Sequence, residues 1–221
     1  MPTATDTMLI SFGGWTLRVR VPSSQSASPR LLVLLHGWTG DENSMWIFVR
    51  RLSPTYWIIA PRAPHAADPG GFSWRNMQSG AFGWPSLETL FPAAEGLIKL
   101  IDEYSTSVGV DATQFDLMGF SQGAAMVNML AMLHPNRIRR MAVLAGFVPS
   151  GLEGIISKKP LAGKNVFVAH GTQDQTIPLD RARASMALLE QAGAQVTWCE
   201  DEVGHKLGAN CRRALEDYMN V

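Results

Sequence analysis

The sequence predicts an α/β domain, a mainly parallel sheet with helices on both faces. Three observations carry that prediction. Apolar runs such as Leu31–Leu35 (LLVLL) are continuous rather than alternating, as strands covered on both faces are. Strand-like and helix-like segments alternate through most of the chain, the order that gives parallel pairing. The 221 residues suit one domain, residues 1–221, long enough to bury a sheet and too short to add a large cap domain.

The first two strands, Met8–Phe12 and residues 15–21, alternate apolar and polar about Gly13-Gly14, which reads as a hairpin at a sheet edge. The Ser-rich stretch 23–29 is a loop, and Leu31–Leu35 is the first fully covered strand. It runs into His36-Gly37-Trp38-Thr39-Gly40, a turn whose glycines let backbone approach whatever lies above the sheet. A helix is expected over 41–52 with Asp41 near its start, then a strand over 57–60. Residues 61–85 have no period, are dense in Pro and Gly, and carry Phe72, Trp74, Phe82 and Trp84. Loops of that length in a compact domain usually serve function. These aromatics either plug the loop onto the body or, with Phe147, wall a substrate pocket.

A helix follows over 87–107, then a strand from Phe115 and a helix ending near His134, whose Met126, Met129 and Met132 read as core filler. Strands are expected over 140–144, 165–169 and 196–199, with a helix over 180–191 closed by Gly193. The last helix is expected to open at Gly204-His205-Lys206 and end near Met219.

Composition narrows the function classes. Charged residues make up 17% and formal net charge is zero, so nothing suggests nucleic acid or an anionic membrane as partner. Cys199 and Cys211 form neither a C-x-x-C nor a Cys/His cluster, so they predict no disulfide framework and no metal site, and they fit a reducing, cytoplasmic compartment. The N-terminus, MPTATDTMLI, lacks a basic start and a long apolar run, so neither a signal peptide nor a membrane span is expected.

The chemistry concentrates in residues 115–123, FDLMGFSQG, where an apolar strand ends in Gly119-Phe120-Ser121-Gln122-Gly123 and a helical pattern follows at once. A serine on so tight a strand-to-helix turn needs neighbours two before and two after that are nearly free of side chain. The helix N-terminus beneath it favours the negative charge that develops when a hydroxyl attacks a carbonyl. The bland alternative is a serine that merely caps a helix. Asp174 and His205 also follow predicted strands directly, and in open α/β sheets reactive groups gather at those strand ends. A serine hydroxyl is too weak an acid to attack unaided, so an imidazole must take its proton, and a carboxylate must fix the imidazole. Backbone N–H groups of Trp38 and Gln122 are the candidates for stabilising an oxyanion.

Four stretches, LHGWTGDE, GFSQGAAM, AHGTQDQTIP and VGHKLG, each resemble a motif of the carboxylesterase/phospholipase family of α/β-hydrolases, the branch that includes acyl-protein thioesterases. The similarity extends over nearly the whole chain. Many members carry glycine where Thr39 stands. The resemblance implies the α/β-hydrolase fold and a serine carboxylesterase acting through an acyl-enzyme. Ser121 would be the nucleophile, His205 the general base and then acid, and Asp174 the orienter, with no metal or organic cofactor. The partner would be a small-molecule ester, with short-chain esters, lysophospholipids and thioesters all open, and the assembly a monomer or homodimer. A protein of the same fold without hydrolytic activity is the competing reading, because fold does not fix function.

The remaining polar candidates read as structural. His36 and His170 precede glycines at strand ends and are expected to tie loops by hydrogen bonds. His134 ends a helix, His65 is solvated, Asp180 caps a helix and Asp201 lies on the surface.

Overall fold

The computed structural model describes residues 7–23, 29–76 and 83–220. Phe82 and most of the loop expected over 23–29 lie outside the described residues. An eight-stranded sheet forms the centre, built from β1 (Met8–Phe12), β2 (Trp15–Arg20), β3 (Leu31–Leu35), β4 (Trp57–Pro61), β7 (Phe115–Phe120), β8 (Ile138–Leu144), β9 (Asn165–Gly171) and β10 (Gln195–Asp201). Their spatial order is β1-β2-β4-β3-β7-β8-β9-β10. Strand β2 runs against both its neighbours, and the other pairings are parallel. The β1–β2 hairpin occupies one edge, as its alternating pattern requires.

Alternation along β3 divides the core. Leu31, Val33 and Leu35 join the larger cluster, with residues of α1 (Leu87–Val108), α2 (Gln122–Leu133), the short α3 (Glu153–Ile156) and α4 (Leu179–Gln191); Leu32 and Leu34 join the smaller one with α5 (Ala209–Asn220). Both faces of the strand are thus dry, which is why LLVLL shows no polar residue. Met126, Met129 and Met132 are buried in the larger cluster. Helix α1 begins with a Ser86/Thr89 capping box and ends at Gly109 with φ 69°, a left-handed C-cap.

Several expectations are corrected. No α-helix occupies 41–52; a 3₁₀ helix covers only Ser44–Phe48. Asp41 Oδ1 instead accepts the Asn43 N–H at 2.9 Å and the Ser44 hydroxyl at 3.0 Å, and such local side-chain bonds compete with helix formation. The aperiodic 61–85 stretch holds two short paired strands, β5 (His65–Ala66) and β6 (Phe72–Ser73), too brief to leave a period in sequence. His65 is half-buried there. The last helix starts at Ala209, so His205 sits in the preceding loop. Asp180 stands exposed in the first turn of α4, whose N-cap is Pro178, and makes no capping bond. Asp201 caps α5 instead: its carboxylate accepts the Cys211 N–H at 2.9 Å and the Asn210 amide at 3.0 Å.

Cys199 and Cys211 are joined in a disulfide, with Cα atoms 5.6 Å apart. Strand β10 turns Cys199 to the face on which the first turn of α5 docks, a juxtaposition that a spacing of 12 residues does not reveal. The bond removes the reason for expecting a reducing compartment. No helix among the described residues is long and apolar enough to cross a membrane.

Candidate active site

Ser121 stands at the junction of β7 and α2 with φ 54° and ψ −115°, a strained conformation for a residue with a side chain. Steric accounting explains the flanking glycines. A Cβ on Gly119 would lie 2.3 Å from the Gly123 carbonyl oxygen, and one on Gly123 would lie 2.0 Å from that of Leu35. The turn is fastened from the side by the Ser121 N–H, which donates to Leu144 O at 2.9 Å. The Ser121 hydroxyl makes no capping bond to α2, so the bland reading of this serine does not describe it.

Asp174 follows β9 on a turn closed by its own N–H to Gly171 O at 3.1 Å. Its Oδ1 accepts the N–H groups of Thr176 at 2.8 Å and Ile177 at 2.9 Å, which fixes the carboxylate. Its Oδ2 faces His205 Nδ1 at 2.7 Å. A ring nitrogen this close to a carboxylate is a donor, so neutral His205 carries its proton on Nδ1 and leaves a lone pair on Nε2. The two loops are stitched by backbone bonds from Thr172 to Asp201 and from Gln173 to Val203, at 2.9 and 3.0 Å. The His205 ring packs against Phe120, the residue before Ser121, with centroids 4.9 Å apart.

Trp38 and Gln122 border the serine. The Thr39 N–H is used by Phe72 O at 3.0 Å, whereas the N–H groups of Trp38 and Gln122 have no acceptor among the described residues. Thr39 holds φ 63°, so the turn keeps a left-handed residue here without glycine. Glu42 anchors its far side through a two-pronged ion pair with Arg62, at 2.8 and 3.0 Å. That pairing holds the Glu42 carboxyl below the usual carboxylate range.

A cleft of about 250 Å³ opens over Ser121, walled by Trp38, Arg75, Trp84, Phe147 and Ile177 among others. Of the four aromatics expected as pocket walls, Trp84 and Phe147 line it, in edge contact with centroids 5.0 Å apart. Phe72 and Trp74 do not. Trp74 is fully buried, donates its indole N–H to His36 O at 2.8 Å and packs on the His36 ring, while Phe72 lies under the Arg62 guanidinium. They plug the loop onto the body.

His36 and His170 tie loops. His36 Nε2 accepts the Ala63 N–H at 3.0 Å and its Nδ1 lies 2.7 Å from Gly37 O; His170 Nε2 lies 2.9 Å from Ile177 O, behind the Asp174 turn. His134 Nε2 lies 3.3 Å from Glu95 at the end of α2. Among the described residues no group of three His, Cys, Asp or Glu is placed to hold a metal ion.

Sequence reasoning missed the side chain of Gln122. Its Oε1 accepts the Trp74 N–H at 2.9 Å and its Nε2 donates to Ser73 Oγ at 3.1 Å, so it bolts the β6 loop to the serine turn. It also missed Arg75, which enters the cleft from that loop. Neither residue carries a local pattern that marks it.

Comparisons with known proteins identify the family. The Phospholipase/Carboxylesterase family model matches residues 18–220. Acyl-protein thioesterase 1 of Yarrowia lipolytica is 29% identical over 182 residues, covering 76% of this chain and 78% of that protein. Carboxylesterase SOBER1 of Arabidopsis thaliana is 26% identical over 180 residues, with 76% and 77% covered. The crystal structure of a carboxylesterase from Mesorhizobium loti superposes with a TM-score of 0.80 at 23% identity, over 97% of this chain and 98% of that one, a likeness of fold. With a family model spanning all but the chain's first 17 residues and its last, this protein belongs to the Phospholipase/Carboxylesterase family of α/β-hydrolases, and is a serine hydrolase of carboxylic esters.

Proposed function

We propose that the protein hydrolyses carboxylic esters through an acyl-enzyme on Ser121, with His205 as base and acid and Asp174 as orienter. The observation that carries this reading is the uncapped, positive-φ serine at the cleft, together with a histidine ring that packs on the preceding residue, Phe120, and is bonded to a fixed carboxylate. His205 Nε2 takes the Ser121 proton as Oγ bonds to the acyl carbon, and the N–H groups of Trp38 and Gln122 receive the oxyanion. As the carbon–oxygen bond to the alcohol breaks, the imidazolium returns that proton to the departing oxygen. Water then attacks the acyl-enzyme by the same route, regenerating the serine and releasing the acid. Asp174 keeps the ring in the tautomer that leaves Nε2 free and stabilises the imidazolium.

The substrate is a small-molecule ester whose reacting end fits a narrow, largely apolar cleft. A fluorophosphonate probe tests the reading. Covalent labelling mapped to Ser121, with both labelling and ester turnover lost in Ser121→Ala by several orders of magnitude, is the expected result. Ester hydrolysis by a folded Ser121→Ala variant within tenfold of wild type would overturn it.

A further inference from the structure

Arg75 lies in the cleft without an acid to neutralise it. It is only 9% exposed, yet among the described residues no carboxylate pairs with it. Its Nη2 donates to Gly83 O at 2.7 Å, and its Nε is enclosed with no partner among the described residues. Among the described residues lining the cleft it is the one charged side chain; the others are apolar or neutral. Buried charges are ordinarily paired, because removing an ion from water carries a penalty that a partner must offset. Burial accordingly pushes its pKa down from the usual guanidinium range.

A second cation strengthens the field from behind the wall. Arg181 of α4 stacks on the outer aromatics, 3.9 Å from the Trp84 ring centroid and 4.9 Å from that of Phe147. Its Nε also lacks a partner, and among the described residues no carboxylate pairs with it. Two guanidinium groups thus stand at this cleft without a carboxylate partner among the described residues; the buried acid Asp174 is bonded to the Thr176 and Ile177 N–H groups and to His205.

We infer that the ester this cleft accepts carries a carboxylate at its non-reacting end, bound by Arg75. This rests on the hydrolase reading above and narrows it. With Nε enclosed and Nη2 already donating to Gly83 O, the outer Nη N–H groups are what remains of the Arg75 fork to donate to a carboxylate, and such charge-assisted bonds are about twice as strong as neutral ones. The bound anion supplies the missing counter-charge, so a neutral ester of the same length leaves the guanidinium uncompensated and is bound less well. The cleft's small volume favours a short dicarboxylic half-ester over a phosphate-bearing lipid.

The test compares monoethyl adipate with diethyl adipate, equal in chain length, by titrating released acid at constant pH. Wild type is expected to favour the monoester in kcat/KM by at least tenfold. Arg75→Gln should collapse that ratio at least tenfold, chiefly by raising KM for the monoester, and Arg75→Lys should restore part of it. A wild-type preference for the diester, a ratio unchanged in folded Arg75→Gln, or a preference for a lysophosphatidyl ester over both would overturn the inference. Fluorophosphonate labelling of Ser121 reads the hydrolase proposal separately. Labelled enzyme that ignores the monoester refutes only the carboxylate, and unlabelled folded enzyme refutes the nucleophile.

Discussion

Asp174 Oδ2 lies 2.7 Å from His205 Nδ1 and 3.5 Å from His170 Nε2, while its other oxygen is held by two backbone N–H groups, so the carboxylate is fixed with Oδ2 toward the His205 ring. Asp174→Asn keeps the shape but places an amide opposite Nδ1, which favours the wrong tautomer. By comparison with other triads, turnover should fall on the order of 10⁴-fold with little change in KM. Steady-state kinetics on a p-nitrophenyl ester check this, and a loss below tenfold would remove Asp174 from the role.

The disulfide closes the segment that carries His205. Replacing both partners, Cys199→Ala with Cys211→Ala, frees 12 residues of spacing between strand and helix and should cost about 2–4 kcal/mol of stability. Urea unfolding of the double variant, and of wild type with and without dithiothreitol, measures it. Equal midpoints in all three samples would show that the bond adds no stability.

Burial lowers the pKa of His36, against opposing pulls from the Gly37 carbonyl, Asp41 and Glu42. The folded value therefore lies below that of the unfolded chain, roughly 6.5. The neutral ring's contribution is complete above that pH and is lost as pH falls through the folded value, where protonated Nε2 would confront the Ala63 N–H. Stability measured at pH 7.5 and again at pH 5 should drop further in wild type than in His36→Gln. Parallel drops would show that His36 does not couple to folding.

What the sequence made legible follows from steric necessity and strand-end position. The Gly119 and Gly123 spacing announces the serine turn because any Cβ there would strike backbone. Asp174 and His205 stand out in the sequence because each follows the carboxyl end of a strand, where loops converge. Interactions between distant segments left no such trace. Nothing local says that Asp201 caps α5, that Cys199 faces Cys211, or that Asp41 spends its carboxylate on a turn and so shortens the expected helix to Ser44–Phe48. Arg75 was invisible for the same reason, since a charge in a loop reads as solvated until the fold shows what surrounds it.

The Gln122 side chain, bonded to both Ser73 and Trp74, makes the nucleophile's neighbour and the loop bearing Arg75 a single mechanical part. A shift of the loop at Ser73 or Trp74 therefore carries directly into the serine turn. Any attempt to re-engineer the cleft by altering Ser73 or Trp74 will also move the amide at position 122, so directed evolution toward new esters should find its improvements elsewhere in the lining, at Trp84, Phe147 and Ile177.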